Sequence, residues 1–321
     1  MTEAAHPFPE GGEWLRCQLH SHTTNSDGDV PPDALCAHYA GLGFDVLAIT
    51  DHWHVTAHER DGLVVIPSSE LSSRSPSPAG EAEALALGVE VLPEPREPFP
   101  GIAEMASWIS DHGGVPVLCH PYWSGLEPAE IAAAAGSVAG IEIWNGASEI
   151  EQGNGLSTVH WDAVLQAGAT LFGVATDDCH SPGQDSGLGW TWVCAAARSR
   201  EAVLDALRDG ACYGSNGPRL LGIEVLDDAV EVRCSEAATV RLRSGPWDGC
   251  SAHAAPNRME WRGGVTERGD GGLAVAARFE YPEFWRWARV EVVDADGRMA
   301  WSQPFRLPGE EPGLAIASHD M

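Results

Sequence analysis

Five apolar segments of the sequence are each followed closely by histidine, aspartate or glutamate, and this recurrence constrains the fold more than any other feature. In a barrel of parallel strands the carboxyl ends of all strands meet at one face, so residues that follow different strands come together there. The residues that follow the five segments are His20 and His22, Asp51 and His52, Glu70, His120, and Asp178 and His180. The pattern predicts an α/β fold of the β/α-barrel type with one shared metal site.

The first segment carries the most specific local spacing. His20 and His22 are two residues apart, so on an extended strand their imidazoles lie on the same face and can bind one cation. Asp27 follows in a Ser-Asp-Gly turn, where the chain can reverse and bring a carboxylate beside the imidazoles. By itself a His-x-His spacing is more often a structural histidine pair, and the four later segments are what favour a metal site.

The charge of the chain limits its partners. The chain has 321 residues, a formal net charge of -28, and 19 basic residues that are all arginines. Such an acidic surface argues against nucleic acid or an anionic membrane as the main partner and favours a small-molecule substrate. The absence of lysine from the sequence excludes a P-loop lysine and a Schiff-base mechanism. The sequence leaves open whether the chain forms a homo-oligomer.

The cysteines and the apolar runs bear on the cell compartment. The sequence has eight cysteines but no Cys-x-x-Cys pair, and its first residues lack the pattern of a signal peptide. No apolar run is long enough to cross a bilayer. We therefore expect a cytoplasmic protein with reduced cysteines.

The motifs also form a recognisable order along the chain. They are His-x-His, Ser-Asp-Gly, Thr-Asp-His, a glutamate after a strand, His-Pro and Asp-x-His. This ordered set, from about Arg16 to about Pro218, resembles the PHP (polymerase and histidinol phosphatase) family. The resemblance implies a distorted (β/α)7 TIM-like barrel that binds two or three divalent metal ions and acts as a phosphoesterase. Histidine and carboxylate ligands suit zinc, manganese or iron, and the sequence does not choose among them.

After Arg219 the pattern of apolar and polar residues changes. Short runs of alternating apolar residues are separated by glycine, aspartate and proline, which predicts a C-terminal antiparallel β-sandwich. We therefore expect three parts, namely an N-terminal tail over residues 1–13, the PHP-like metal-binding barrel over 14–218, and a β-sandwich domain over 219–321.

The resemblance implies three metal positions that share ligands. The first would use His20, His22, Glu70 and Asp178, the second Glu70, His120 and Glu83, and the third Asp27, His52 and His180. Glu83 stands where a branch of the family that includes carbaryl hydrolases has a histidine. A carboxylate also binds hard or borderline cations, but this departure leaves open whether two or three ions bind.

The expected reaction is hydrolysis of a small phosphorylated metabolite, in which a metal-bound hydroxide attacks the phosphorus. Asp51, next to His52, is expected to assist catalysis by orienting a ligand, and Arg74 by completing a phosphate clamp. The residues expected to contact substrate are Arg74, Tyr122, Asn145 and Arg219.

Two other functions remain open. The first is a metal-dependent hydrolase of carbamates, amides or esters, which is favoured by the tryptophans near the motifs, Trp53, Trp123 and Trp144. The second is a catalytically inactive metal-binding scaffold. The near-complete set of ligands argues against the scaffold.

Overall fold

The computed structural model of the chain describes residues 8–255 and 262–308. In the first two thirds of the chain the elements are β1 (Glu13–Gln18), α1 (Pro32–Gly41), β2 (Val46–Ile49), β3 (Val64–Arg74), β4 (Glu81–Leu87), α2 (Ile102–Asp111), β5 (Val115–Leu118), α3 (Pro121–Ser124), α4 (Pro128–Ala134), β6 (Gly140–Asn145), α5 (Gly146–Gln152), α6 (Thr158–Gln166), β7 (Phe172–Thr176), β8 (Trp190–Ala195), α7 (Arg200–Arg208) and β9 (Cys212–Ser215). The described elements that follow are strands, β10 (Leu220–Val225), β11 (Ala229–Ala237), β12 (Thr239–Arg243), β13 (Gly249–His253), β14 (Gly263–Arg268), β15 (Ala274–Glu280), β16 (Trp287–Val293), β17 (Met299–Ser302) and β18 (Phe305–Arg306).

Local sequence accounts for these elements. Every residue of β2 and β5 is buried, as expected for apolar strands that are covered on both faces. Helix α7 begins after Ser199, whose hydroxyl accepts a hydrogen bond from the amide of Ala202. The same helix buries Val203, Leu204 and Leu207 on one side, so it packs against the sheet through an apolar stripe.

The strand directions place the chemistry at one edge of the large sheet. Strands β1, β2 and β3 run parallel, as do β5, β6 and β7, whereas β4 is antiparallel to both β3 and β5. Six strands therefore end at the same edge. Because β4 is reversed, its early residue Glu83 lies opposite Ser72, beyond Glu70 on β3. A residue near the start of β4 thus reaches the edge where its neighbours end.

The sheet curls back on itself without closing. Strands β8 and β7 are seven places apart in the order β8-β1-β2-β3-β4-β5-β6-β7, which in a flat sheet would separate them by roughly 34 Å. Instead the hydroxyl of Thr191 on β8 donates to the carbonyl of Ala175 on β7 at 2.9 Å. Among the described residues no backbone ladder joins these two strands, so closure of the predicted barrel is not detected. The mixed α/β class is confirmed.

The C-terminal strands form a second apolar core. Strands β10, β11, β15 and β14 make a four-stranded antiparallel sheet, while β12, β13, β16 and β17 extend the large sheet through β9. Buried residues of both sheets share one cluster, including Val232 and Phe279 from the small sheet and Leu242 and Val290 from the large one. This shared core supports the predicted β-sandwich, which stays a prediction, as does the domain boundary at residue 218.

A buried ion pair connects this region to the α/β part. Arg289 on β16 is 1% exposed, and its guanidinium donates to the two carboxylate oxygens of Asp162 on α6 at 2.7 and 2.9 Å. The same guanidinium donates to Glu291 at 2.8 Å and lies 5.0 Å from the ring centroid of Trp161. The two carboxylates compensate a charge that burial would otherwise make costly.

Two observations bear on the cell compartment. All eight cysteines lie in the described part of the chain, and each is buried and unpaired. No helix in that part combines the length and the apolar character needed to cross a membrane. The cytoplasmic location stays a prediction.

Candidate metal centre

Four side chains from three strands converge at the carboxyl edge of the sheet. His20 and His22 follow β1, Glu70 lies in β3, and Asp178 follows β7. The Nε2 atoms of His20 and His22 lie 3.1 and 3.2 Å from Asp178 Oδ1, and 3.1 and 3.3 Å from Glu70 Oε2. All four side chains are at most 12% exposed. We call these four residues the inner group.

The spacing within the inner group fits a bound cation. Ligand atoms that surround a tetrahedral zinc ion at 2.0–2.1 Å are themselves about 3.3 Å apart, close to the separations found here. Two buried atoms of the inner group, His22 Nε2 and Asp178 Oδ1, have no hydrogen-bond partner among the described residues, and neither has Glu70 Oε1, which lies towards His120. Buried polar atoms without hydrogen-bond partners are rare and destabilising. A bound cation would satisfy these atoms, which hydrogen bonds among themselves do not.

The charges in the inner group reinforce one another. Burial lowers the pKa of His22, but its contacts with Asp178 and Glu70 outweigh burial and raise that pKa to about 9. Burial would raise the pKa of Glu70, yet the charge of His20 and the contact with His120 hold it well below its usual range. The pKa of Asp178 is lowered for the same reason, since His20 and His22 outweigh burial. The carboxylates are therefore ionised, and a cation would displace the protons of the imidazoles.

A second group adjoins the inner one through Glu70. His120 Nε2 lies 3.4 Å from Glu70 Oε1 and 3.7 Å from Glu83 Oε2. His52 Nδ1 lies 3.4 Å from Glu70 Oε2 and 3.8 Å from Glu83 Oε1. Burial, and then the charge of Glu70, raises the pKa of Glu83 to about 7. Glu83 therefore occupies a position where a second carboxylate is electrostatically unfavourable unless a cation balances it.

A third group lies at the rim. Asp27 Oδ2 lies 3.5 Å from the Nε2 atoms of both His52 and His180, and Asp27 Oδ1 lies 3.5 Å from His22 Nδ1. Contacts with His180 and His52 lower the pKa of Asp27. Asp27 is 53% exposed, and His52 and His180 are about one third exposed. The donor groups thus form a series from a buried inner group to an open rim.

Glu142, which the sequence analysis did not single out, orients two of the histidines. This carboxylate is fully buried in β6 and accepts from His20 Nδ1 at 2.7 Å and from the amide of His120 at 2.8 Å. It also accepts from Thr176 Oγ1 at 2.7 Å and Asn145 Nδ2 at 3.0 Å. Holding the proton of His20 on Nδ1 leaves the Nε2 lone pair directed at the inner group. The signal was present in the sequence, since a lone glutamate interrupts an apolar strand.

Asn145 and Asp51 are both in place to support the donors. Asn145 Nδ2 donates to Asp178 Oδ2 at 3.2 Å, and its Oδ1 caps helix α5. The carboxylate of Asp51 accepts from the amide of Thr23 at 2.7 Å and from the hydroxyls of Ser26 and Thr56 at 2.9 and 2.5 Å. Asp51 thereby fixes the turn at residues 23–28, which carries the rim carboxylate. Its part in catalysis stays a prediction.

The other three residues expected to contact substrate lie at the surface. Arg74 is exposed at the end of β3 and holds no ion pair within the described residues. Tyr122 on α3 is 52% exposed. The guanidinium carbon of Arg219 lies 4.7 Å from the ring centroid of Trp192, which pairs with Arg16 in the middle of β1. The structure therefore gives Arg219 an aromatic partner and brings it into no contact with the donor groups.

Backbone strain is concentrated at the donors. Four non-glycine residues of the described chain have a positive φ, and three of them are His120 (23°), Asp178 (58°) and Trp53 (49°), which follows His52. Non-glycine residues adopt such angles at a cost of about 1–3 kcal/mol each, and they persist where the surrounding structure over-determines them. These backbone angles lower the stability of the fold and orient the side chains of the donor residues.

Comparison with known proteins agrees with this geometry at the level of the fold. No protein-family model and no curated protein matches the sequence. The solved structure of a two-domain protein from Bacteroides vulgatus, which contains a predicted PHP-like metal-dependent phosphoesterase, is similar with a TM-score of 0.50 and 17% identity. The match covers 94% of this chain and 98% of that chain. The chain has the PHP-like fold.

Two further solved structures are similar over part of the chain. An amidohydrolase from Chromobacterium violaceum has a TM-score of 0.40 and 16% identity, covering 53% of this chain and 89% of that one. A candidate metal-dependent phosphoesterase from Bifidobacterium adolescentis has a TM-score of 0.41 and 16% identity, covering 54% and 91%. The two-domain structure from Bacteroides vulgatus confirms the resemblance drawn from the motifs as a PHP-like fold, and the branch with carbaryl hydrolases stays a prediction.

Proposed function

We propose that this protein is a metal-dependent hydrolase, and that its substrate is a small phosphate monoester. The observation that carries the proposal is the inner group, in which buried donor atoms of two histidines and two carboxylates converge at 3.1–3.3 Å. Divalent ions bound there would lower the pKa of a coordinated water and polarise the scissile group. The PHP-like fold supports such chemistry by analogy.

The residues of the chain have separable roles in this proposal. The inner group, with His120, Glu83 and the rim residues, would hold two or three ions of zinc, manganese or iron. Glu142 keeps His20 in the tautomer that binds a cation. Arg74, exposed and unpaired at the end of β3, would reach towards the phosphate and bind two of its oxygens.

A second candidate is hydrolysis of carbamates, amides or esters. It is favoured by the surroundings of the donor groups, where the aromatic residues Tyr122 and Trp123 are exposed. No arginine of the described chain forms an ion pair with any donor carboxylate. A phosphate group is commonly bound by an arginine beside the reacting atoms, whereas a neutral substrate needs no arginine there.

Two measurements test the proposal together. Elemental analysis of the purified protein should find at least one divalent ion per chain, and chelation should abolish hydrolysis that the same ion restores. A panel of sugar and nucleoside phosphates, assayed beside aryl carbamates, should give turnover of the phosphates. Turnover of carbamates alone would select the second candidate, whereas bound metal without any turnover would favour an inactive scaffold. Full activity in metal-free protein would refute both hydrolase proposals.

A further inference from the structure

Two large aromatic side chains stand exposed beside the second donor group. Helix α3 begins directly after His120, and its residues Tyr122 and Trp123 are 52% and 44% exposed. The ring of Trp123 meets the ring of His120 edge-on, with centroids 5.0 Å apart and planes at 70°. Trp123 therefore lies beside a histidine whose Nε2 atom is 3.4 Å from Glu70 and 3.7 Å from Glu83.

The pair is held rigidly. The amide of Tyr122 donates to Ser157 Oγ at 3.1 Å, and its ring lies 6.0 Å from that of His160 on α6. The helix ends at Gly125, where φ is +65° and a Cβ atom would lie 2.9 Å from Pro78 in the loop between β3 and β4. The short helix is therefore fixed between α6 and that loop. Its rings form a preformed surface, so the protein loses little conformational entropy when a ligand packs on them.

The chemistry of this surface selects a kind of ligand. Tryptophan and tyrosine rings offer flat apolar faces on which another planar group can stack, and the interaction requires no charge on the ligand. The scissile group would lie at the donor atoms, and the partly exposed ring of Trp123 contacts His120, which is one of the donors. The part of the substrate that extends from the scissile bond in this direction therefore passes over the rings.

We propose that Trp123 forms a subsite for an aromatic or other planar apolar group carried by the substrate. This inference rests on the proposed metal-dependent hydrolase and narrows its substrate class to aryl or similarly planar esters. Trp123 is a specificity-determining residue in this assignment.

The test is a binding comparison that does not depend on turnover. Dissociation constants are measured by calorimetry on metal-loaded protein for two ligand pairs, phenylphosphonate with methylphosphonate and phenylurea with methylurea. The first pair mimics a phosphate ester and the second a carbamate. The variants are Trp123→Ala, Trp123→Phe and, as a matched control, Trp247→Ala, since Trp247 is 78% exposed in the β12–β13 hairpin. Elemental analysis of each variant checks that the metal content is unchanged.

We expect the wild type to bind the phenyl member of at least one pair about tenfold more tightly than the methyl member. Trp123→Ala should reduce that preference below about twofold without changing the affinity for the methyl member. Trp123→Phe should keep most of the preference, and Trp247→Ala all of it. A preference only within the urea pair would retain the subsite and count against phosphate esters. No preference in either pair, or one that survives in Trp123→Ala, would overturn the subsite.

Discussion

Replacing Glu142 by glutamine should weaken metal binding through the two histidines that Glu142 orients. Each carboxylate oxygen of Glu142 accepts two hydrogen bonds. Oε1 accepts from His20 Nδ1 and the hydroxyl of Thr176, and Oε2 accepts from the backbone amide of His120 and the side-chain amide of Asn145. Glutamine has one oxygen and one NH2 group, so one of these two pairs of donors must face another donor. No rotation of the amide avoids the conflict.

The size of the effect follows from which pair is left facing the NH2 group. If the glutamine NH2 group faces His20, the imidazole must accept a hydrogen bond at Nδ1 and carry its proton on Nε2, where a cation would bind. If it faces His120 and Asn145, a buried amide loses a charge-assisted bond of about 1.5–3 kcal/mol. Loss of a partner that orients a metal-binding histidine typically lowers metal affinity about 10–100-fold, which is about 1.4–2.7 kcal/mol.

The assay is a competition titration of metal-free protein against a chromogenic chelator, with zinc and manganese in turn. Glu142→Gln should show the 10–100-fold loss, with its far-ultraviolet circular dichroism unchanged. Thr176→Val removes only one of the four bonds and should lower thermal stability more than metal affinity. Glu104→Gln, an exposed change on α2, is the control for loss of a charge. If folded Glu142→Gln binds both metals within twofold of the wild type, the orienting role assigned to this residue is wrong.

Three further predictions concern the donor groups and the core. Asp178→Asn should lose bound metal and turnover together, measured by elemental analysis and by hydrolysis rate. Metal affinity should rise between about pH 6.5 and 9, because His22 and His120, with pKa values of about 9, must lose protons to bind a cation. In the metal-free protein the same raised pKa values stabilise the folded state at low pH, so the melting temperature should fall as the pH rises over this range. Arg289→Met should cost about 3 kcal/mol in urea unfolding, because it removes the buried charge between Asp162 and Glu291 and leaves each carboxylate with one partly exposed arginine, Arg243 or Arg241, at 3.3 Å. Arg298→Met, which removes an exposed ion pair, should cost less than about 1 kcal/mol.

The sequence was informative where the chemistry follows a strand directly. His20, His22, His120 and Asp178 each come within a few residues of a strand end, so the rule for parallel strands sufficed to group them. The same rule could not explain Glu83, because it assumes that every strand runs the same way. The reversal of β4 follows from the short connection over residues 75–80, which allows a hairpin but is too short for a crossover between parallel strands.

Glu142 was missed for a different reason. It lies in the middle of β6, and its role arises from the curl of the sheet, which places it beneath His20 from β1. Contacts between strands that are distant in the chain depend on tertiary structure, and a single sequence carries no direct record of them. The same limit applies to predicting barrel closure from the sequence. Alternating strands and helices predict the mixed α/β class, whereas closure depends on whether β7 pairs with β8.

Glu70 makes the donor groups interdependent. Its Oε2 lies 3.1 Å from His20 and 3.4 Å from His52, and its Oε1 lies 3.4 Å from His120. One buried carboxylate thus belongs to the inner group and to the second group at once, and its charge also raises the pKa of Glu83. A cation in either group would draw on the same negative charge and reduce the repulsion felt by the other carboxylates. Metal number and affinity are therefore properties of the whole cluster, and a change at Glu70 should affect both groups where a change at Glu83 affects one.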